Sequence, residues 1–131
     1  MTRVVLMLAV ALLLPLSGCR SAPDAAAPTY ATQTSAGEVS FELTPRMEGT
    51  RLVVTVHSDT HSGDLAEIDL AKAFTLDADG KSLKPVETKP LGGHHSDGFV
   101  AFDVGSAPKT FSLSISGVRS SRDVKLVWPK E

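Results

Sequence analysis

The chain has 131 residues, with 13 Lys or Arg against 15 Asp or Glu, a formal net charge of −2. That balance excludes the basic surface that a nucleic-acid or polybasic membrane-surface binder requires. Hydrophobic residues make up 42% and there is a single cysteine, so one domain-sized core is available and no disulfide can brace it.

The first residues, MTRVVLMLAVALLLPLSGC, combine a charged start at Arg3, an apolar run from Val4 to Leu16 and a small-residue end. The run falls short of the roughly 20 apolar residues of a spanning helix and has the length of a secretory signal's core. It closes on Leu16-Ser17-Gly18-Cys19, a tetrad that resembles the lipobox of bacterial lipoproteins. The resemblance implies a signal peptide over 1–18, lipidation of Cys19 and stable membrane attachment through several acyl chains. Cysteine usage agrees, because an exported chain with one Cys otherwise carries an unpaired thiol in an oxidising space. Arg20 stands where an Asp, in Gram-negative lipoproteins, resembles an inner-membrane retention signal. The expected location is therefore the cell envelope, outside the cytoplasm, on the outer membrane facing the periplasm if the cell is Gram-negative.

Residues 19–37 are dominated by Ala, Pro, Ser and Thr without periodicity, and read as a flexible tether with a root-mean-square span of roughly 20–25 Å. An added edge strand around Tyr30 is the competing reading. From Glu38 the pattern turns to period two, the mark of half-buried strands. Val39, Phe41 and Leu43 alternate with polar residues until Pro45, and Arg51–His57 is apolar enough for a central strand. Asp64–Ala73 offers a turn or two of helix or a crossover between sheets. Ala73–Leu76 and Ser82–Glu87 flank Asp77-Ala78-Asp79-Gly80, a hairpin turn rather than a calcium loop, since it lacks the further acidic ligands. Val100–Val104, Phe111–Ile115 and Val124–Trp128 complete the series. About seven short strands at this spacing predict an all-β, immunoglobulin-like β-sandwich over 38–131.

The histidines gather in two segments. His57 and His61 lie at and beyond the end of the second strand. His94 and His95 lie in LGGHHSDGF, read as a loop before a strand starting near Gly98. Loops at one end of a sandwich sit on rigid strands, so three or four imidazoles converge there if both loops share that end. Imidazoles in that number suit zinc or copper. Adjacent residues on an extended backbone point to opposite faces, so His94 and His95 share an ion only if the Gly92-Gly93 turn bends the chain. Asp59, Asp64 and Asp97 are placed to orient a ring nitrogen or to complete the shell. Two readings compete with a metal: His61 and His94 tying the loops together, and solvated surface residues.

Thr60-His61-Ser62-Gly63-Asp64-Leu65, with Asp69-Leu70 after it, and Gly93-His94-His95-Ser96-Asp97-Gly98 resemble a family of small exported β-sandwich domains. In that family a THS-x-x-L segment follows one strand and a GHH-x-x-G segment precedes another, with an Arg and a Trp near the end, as Arg122 and Trp128 stand here. The resemblance covers most of 52–128. It implies the fold and a motif pair containing His61, His94 and His95, with His57 outside it, and it carries no activity.

Two functions follow as expectations. The first is a membrane-tethered domain that binds Cu(II) or Zn(II); Met47 is the one methionine beyond the signal segment, so a thioether-rich Cu(I) site is excluded. The second is an interaction module for another envelope protein. An enzyme is not expected: no GxSxG elbow or HExxH helix is present, and the neighbours His61, Ser62 and Asp64 do not make triad geometry.

Overall fold

The computed structural model describes residues 29–119 and 121–129. The signal segment, Cys19 and the tether as far as residue 28 lie outside the described residues. Among the described residues, no helix is long and apolar enough to cross a membrane.

Among the described residues, nine strands form two antiparallel sheets. They are β1 (Gln33–Ser35), β2 (Val39–Glu48), β3 (Arg51–Thr60), β4 (Phe74–Ala78), β5 (Lys81–Leu83), β6 (Glu87–Lys89), β7 (His95–Asp103), β8 (Phe111–Ile115) and β9 (Val124–Trp128). One sheet has the order β1-β2-β3-β7-β6 and the other β5-β4-β8-β9. Counting from β2, these are the A-B-E-D and C′-C-F-G arrangements of an immunoglobulin-like sandwich. The nine strands exceed the expected seven because β1 adds an edge and the 81–89 stretch divides, β5 staying with β4 while β6 crosses to β7. A 3₁₀ turn (Leu65–Glu67) and a single helical turn α1 (Leu70–Ala73) bridge β3 and β4, each capped by the Asp before it.

Alternation sets which face is buried. Val39, Phe41 and Leu43 of β2 meet Leu52, Val54 and Val56 of β3 on the inner face, opposite Phe74 and Leu76 of β4 and Leu113 and Ile115 of β8. Burying side chains of this size stabilises by roughly 1.5–3 kcal/mol each, which is how a domain without disulfides holds together. Phe41 and Phe74 meet edge to face across the two sheets.

The proline and the tether both depart from expectation. Pro45 does not end its strand, and β2 continues to Glu48. The Pro45 carbonyl faces the β1 side and accepts the Tyr30 N–H at 3.4 Å. The missing N–H faces the same side, where regular β1 pairing has already stopped at Gln33–Leu43, so the ladder to β3 loses nothing.

Residues 29–37, expected as tether, belong to the domain. Tyr30 packs edge to face on Phe111 and donates to Pro108 O at 2.9 Å. The Gln33 side chain donates to Val127 O, and the buried Trp128 indole donates to Ala31 O, both at 2.6 Å. This segment therefore joins the edge of one sheet to β9 of the other. Its composition hid the role because it contributes backbone acceptors, one amide and one ring rather than an apolar alternation.

Gly98 has a packing reason. A Cβ built there would stand 2.4 Å from the Lys89 carbonyl oxygen and 3.0 Å from Leu91 Cδ2, so only glycine lets β6 close onto β7.

A chain beginning at Thr29 is expected to keep the full stability of the domain, whereas one beginning at Glu38 loses about 2–4 kcal/mol, the sum of several tertiary hydrogen bonds and an aromatic contact. Urea denaturation of the two truncations checks this.

Candidate functional site

The pairing of β3 with β7 places His57 opposite Asp97 and Asp59 opposite His95. Residues two apart on a strand share a face, so all four side chains stand together on the outer face of the five-stranded sheet. Their neighbours Val56, Ser58 and Thr60 turn inward and are buried. The sheet is rigid beneath the quartet, and β2 brings Glu42 alongside His57.

Each imidazole is held by a carboxylate through Nδ1. His57 Nδ1 donates to Asp97 Oδ1 at 2.6 Å, and His95 Nδ1 donates to Asp59 Oδ1. A carboxylate only accepts, so both Nδ1 atoms carry hydrogen and both Nε2 atoms are left for another partner. His57 Nε2 lies 3.5 Å from Asp59 Oδ2. The space between that nitrogen and that oxygen favours a positive charge.

The electrostatics follow from these contacts. The hydrogen bond to Asp97 raises the His57 pKa above its ordinary value, against the opposing effect of burial, and the charges of Asp97, Asp59 and Glu42 add to it. The hydrogen bond from His95 holds Asp59 below the usual carboxylate range, with the His57, His95 and His61 charges adding to it.

The two loops are joined one step away, and the histidine rings do not make the link. Asp64 Oδ1 accepts the N–H of Ala66 and that of Gly93, both at 2.8 Å. These two backbone hydrogen bonds lower the Asp64 pKa. Leu65 N–H donates to Gly93 O at 2.8 Å, and Thr60 N–H donates to His94 O at 2.9 Å. Gly93 has φ +68°, which lets the chain turn back to meet Asp64.

The sequence-predicted histidines thus separate. His57 and His95 come together around Asp59. His61 and His94 are exposed outside the quartet, where His61 reaches Asp59 and His94 reaches Asp64 as charges. His95 is not in a loop: β7 begins at His95 rather than near Gly98, which turns it to the face opposite His94. Reading 95–97 as turn chemistry missed three residues of strand that pair with 57–59. Asp59 and Asp97 were legible as orienting carboxylates; Glu42 was not, because its place depends on the β2–β3 register. Among the described residues, no three or more His, Cys, Asp or Glu side chains converge as a ready metal cage.

Compared with known proteins, the chain matches no protein family, no curated protein and no solved structure.

The pKa directions predict a pH window. The raised His57 pKa gives stability that is fully present below 6.5 and lost as pH rises through its folded value. The lowered Asp59 pKa gives stability that is present above 3.8 and lost as pH falls through its folded value. Asp97→Asn removes the first increment, so its deficit against wild type is expected to be largest near pH 6 and to shrink towards pH 9. Chemical denaturation across that range measures it.

Proposed function

We propose that the chain is a lipid-anchored, extracytoplasmic and non-enzymatic domain that binds one Zn(II) or Cu(II) ion at His57 and Asp59. The single observation behind this reading is the 3.5 Å separation of His57 Nε2 and Asp59 Oδ2. Two donors at about 2.0–2.2 Å from a tetrahedral ion stand roughly 3.3–3.6 Å apart, so this pair is already spaced as two corners of one coordination sphere. Asp97 on His57 Nδ1 supplies the carboxylate support that fixes a ligating imidazole, and His95 holds the other oxygen of Asp59 in the same way. Water completes the shell. Of the four expected ligands His57, His61, His94 and His95, this reading keeps His57, adds Asp59 and makes His95 a supporting residue.

The anchor belongs to the same proposal and rests on the Leu16–Cys19 tetrad. Thr29 bridges to Arg46, near the far end of β2 from Val39. The quartet lies opposite 40–42, roughly 15–20 Å further along the strand. A chain that enters the fold at Thr29 carries this site at the other end of β2 from that entry.

The Asp64–Gly93 link favours a second reading, an interaction module of the envelope whose joined loops form a fixed surface.

Calorimetric titration of the full chain in detergent with Zn(II) and Cu(II) distinguishes the two. Stoichiometric binding is expected, reduced at least tenfold by His57→Ala and by Asp59→Asn and unchanged by His94→Ala. Absence of binding at micromolar ion leaves the interaction module as the reading, whereas equal loss in His94→Ala returns the ion to the loop histidines.

A further inference from the structure

At the end of the sandwich where β2 begins and β3 stops, the two sheets part around a cavity of about 620 Å³. Val39 of β2, Leu65 and Ile68 of the 3₁₀ turn and its cap, Ala73 of α1 and Val118 of the loop after β8 supply the apolar part of a lining that is otherwise polar. Its volume falls within the roughly 300–1,000 Å³ of small-molecule sites. The quartet lies on the outer face of its sheet, whereas this cavity opens between the sheets.

Charge at the rim selects among ligands. Glu38, Asp64, Glu67 and Asp69 outnumber Lys72 and Arg119. Both cations are already engaged, Lys72 Nζ with Asp69 at 3.2 Å and Arg119 with Glu67 at 3.7 Å. An anionic ligand would compete with those exposed pairs and would face an excess of carboxylates. Among the described residues that line the rim, neither Lys72 nor Arg119 pairs with Glu38 or Asp64. Glu38 Oε1 accepts from the Ser62 hydroxyl at 2.6 Å, and Asp64 uses only Oδ1 for its two backbone donors. Each carboxylate therefore keeps an oxygen for a further donor.

We propose that this cavity binds a small organic cation with an apolar body, an aliphatic ammonium ion being the simplest form. The ammonium group meets Glu38 and Asp64 at the rim, and the hydrocarbon fills the space between Ile68 and Val118. Burial of the chain supplies about 0.8 kcal/mol per methylene, and the carboxylates set the sign of the headgroup. The site is independent of the metal reading, since none of its lining residues belongs to the quartet.

The test is calorimetric titration of the full chain in phosphatidylcholine nanodiscs, with empty nanodiscs as the blank and hexylammonium and hexanoate as probes. Hexylammonium is expected to bind saturably at one per chain, and hexanoate at least tenfold more weakly. Glu38→Gln is expected to weaken hexylammonium several-fold. Val118→Trp, which fills the cavity, is expected to abolish binding with the unfolding temperature unchanged. Where that variant loses stability, Glu38→Gln decides. Equal affinity for the two probes, no saturable binding of hexylammonium, or unchanged affinity in Glu38→Gln overturns the proposal.

Discussion

The antiparallel register of β3 against β7 is the constraint on which the rest depends. With Val54 opposite Val100 and Leu52 opposite Phe102, the inner faces of both strands are filled by core side chains. The same register leaves His57, Asp59, His95 and Asp97 together on the outside. Strand periodicity is two, so a slip of one residue would turn the valines to solvent and the quartet into the core. The hydrophobic effect therefore fixes the polar arrangement indirectly. Four exposed side chains that could not order themselves are ordered by the apolar residues between them.

Gly98 and Asp64 protect that register at its ends. Gly98 lies opposite Val56 and allows Lys89 to approach, so β7 is paired on both sides. Asp64 caps the turn after β3 and also accepts from Gly93 just before β7, so the two strands meet again beyond the last ladder pair. The residues that look like ligands in the sequence, His61 and His94, flank this link, while the carboxylate and the two glycines form it or make room for it. The spacing of the two segments thus reflects a structural need as much as a chemical one.

The strands with apolar alternation, β2, β3, β7, β8 and β9, were legible because burial imprints period two on the residue order. The connection between β3 and β4 was legible as a turn or two of helix or a crossover, and the structure has both a 3₁₀ turn and a helical turn, capped by Asp64 and Asp69. β1 was legible only as the competing edge strand around Tyr30: it is short, it lies at an edge, and its segment is held by the Gln33 bond to Val127 O and the Trp128 bond to Ala31 O, which leave no composition signal. The site was half legible. The residue types were visible, and so was the role of Asp59 and Asp97, but the choice between His57 and His94 depended on cross-strand register, a long-range quantity that local pattern does not contain. The resemblance pointed towards the loop histidines, and the geometry moves the weight to the strands.

The measurement that tests this account most directly is the imidazole ¹⁵N spectrum of the metal-free chain, recorded above the titration of His57. If both rings are held as described, His57 and His95 each show a protonated Nδ1 and a bare Nε2, the tautomer set by a carboxylate on Nδ1. His61 and His94 then show the mixture of an unconstrained ring. Finding His57 with a protonated Nε2 and a bare Nδ1, or all four rings alike, would contradict the register-built quartet and the ion site drawn from it.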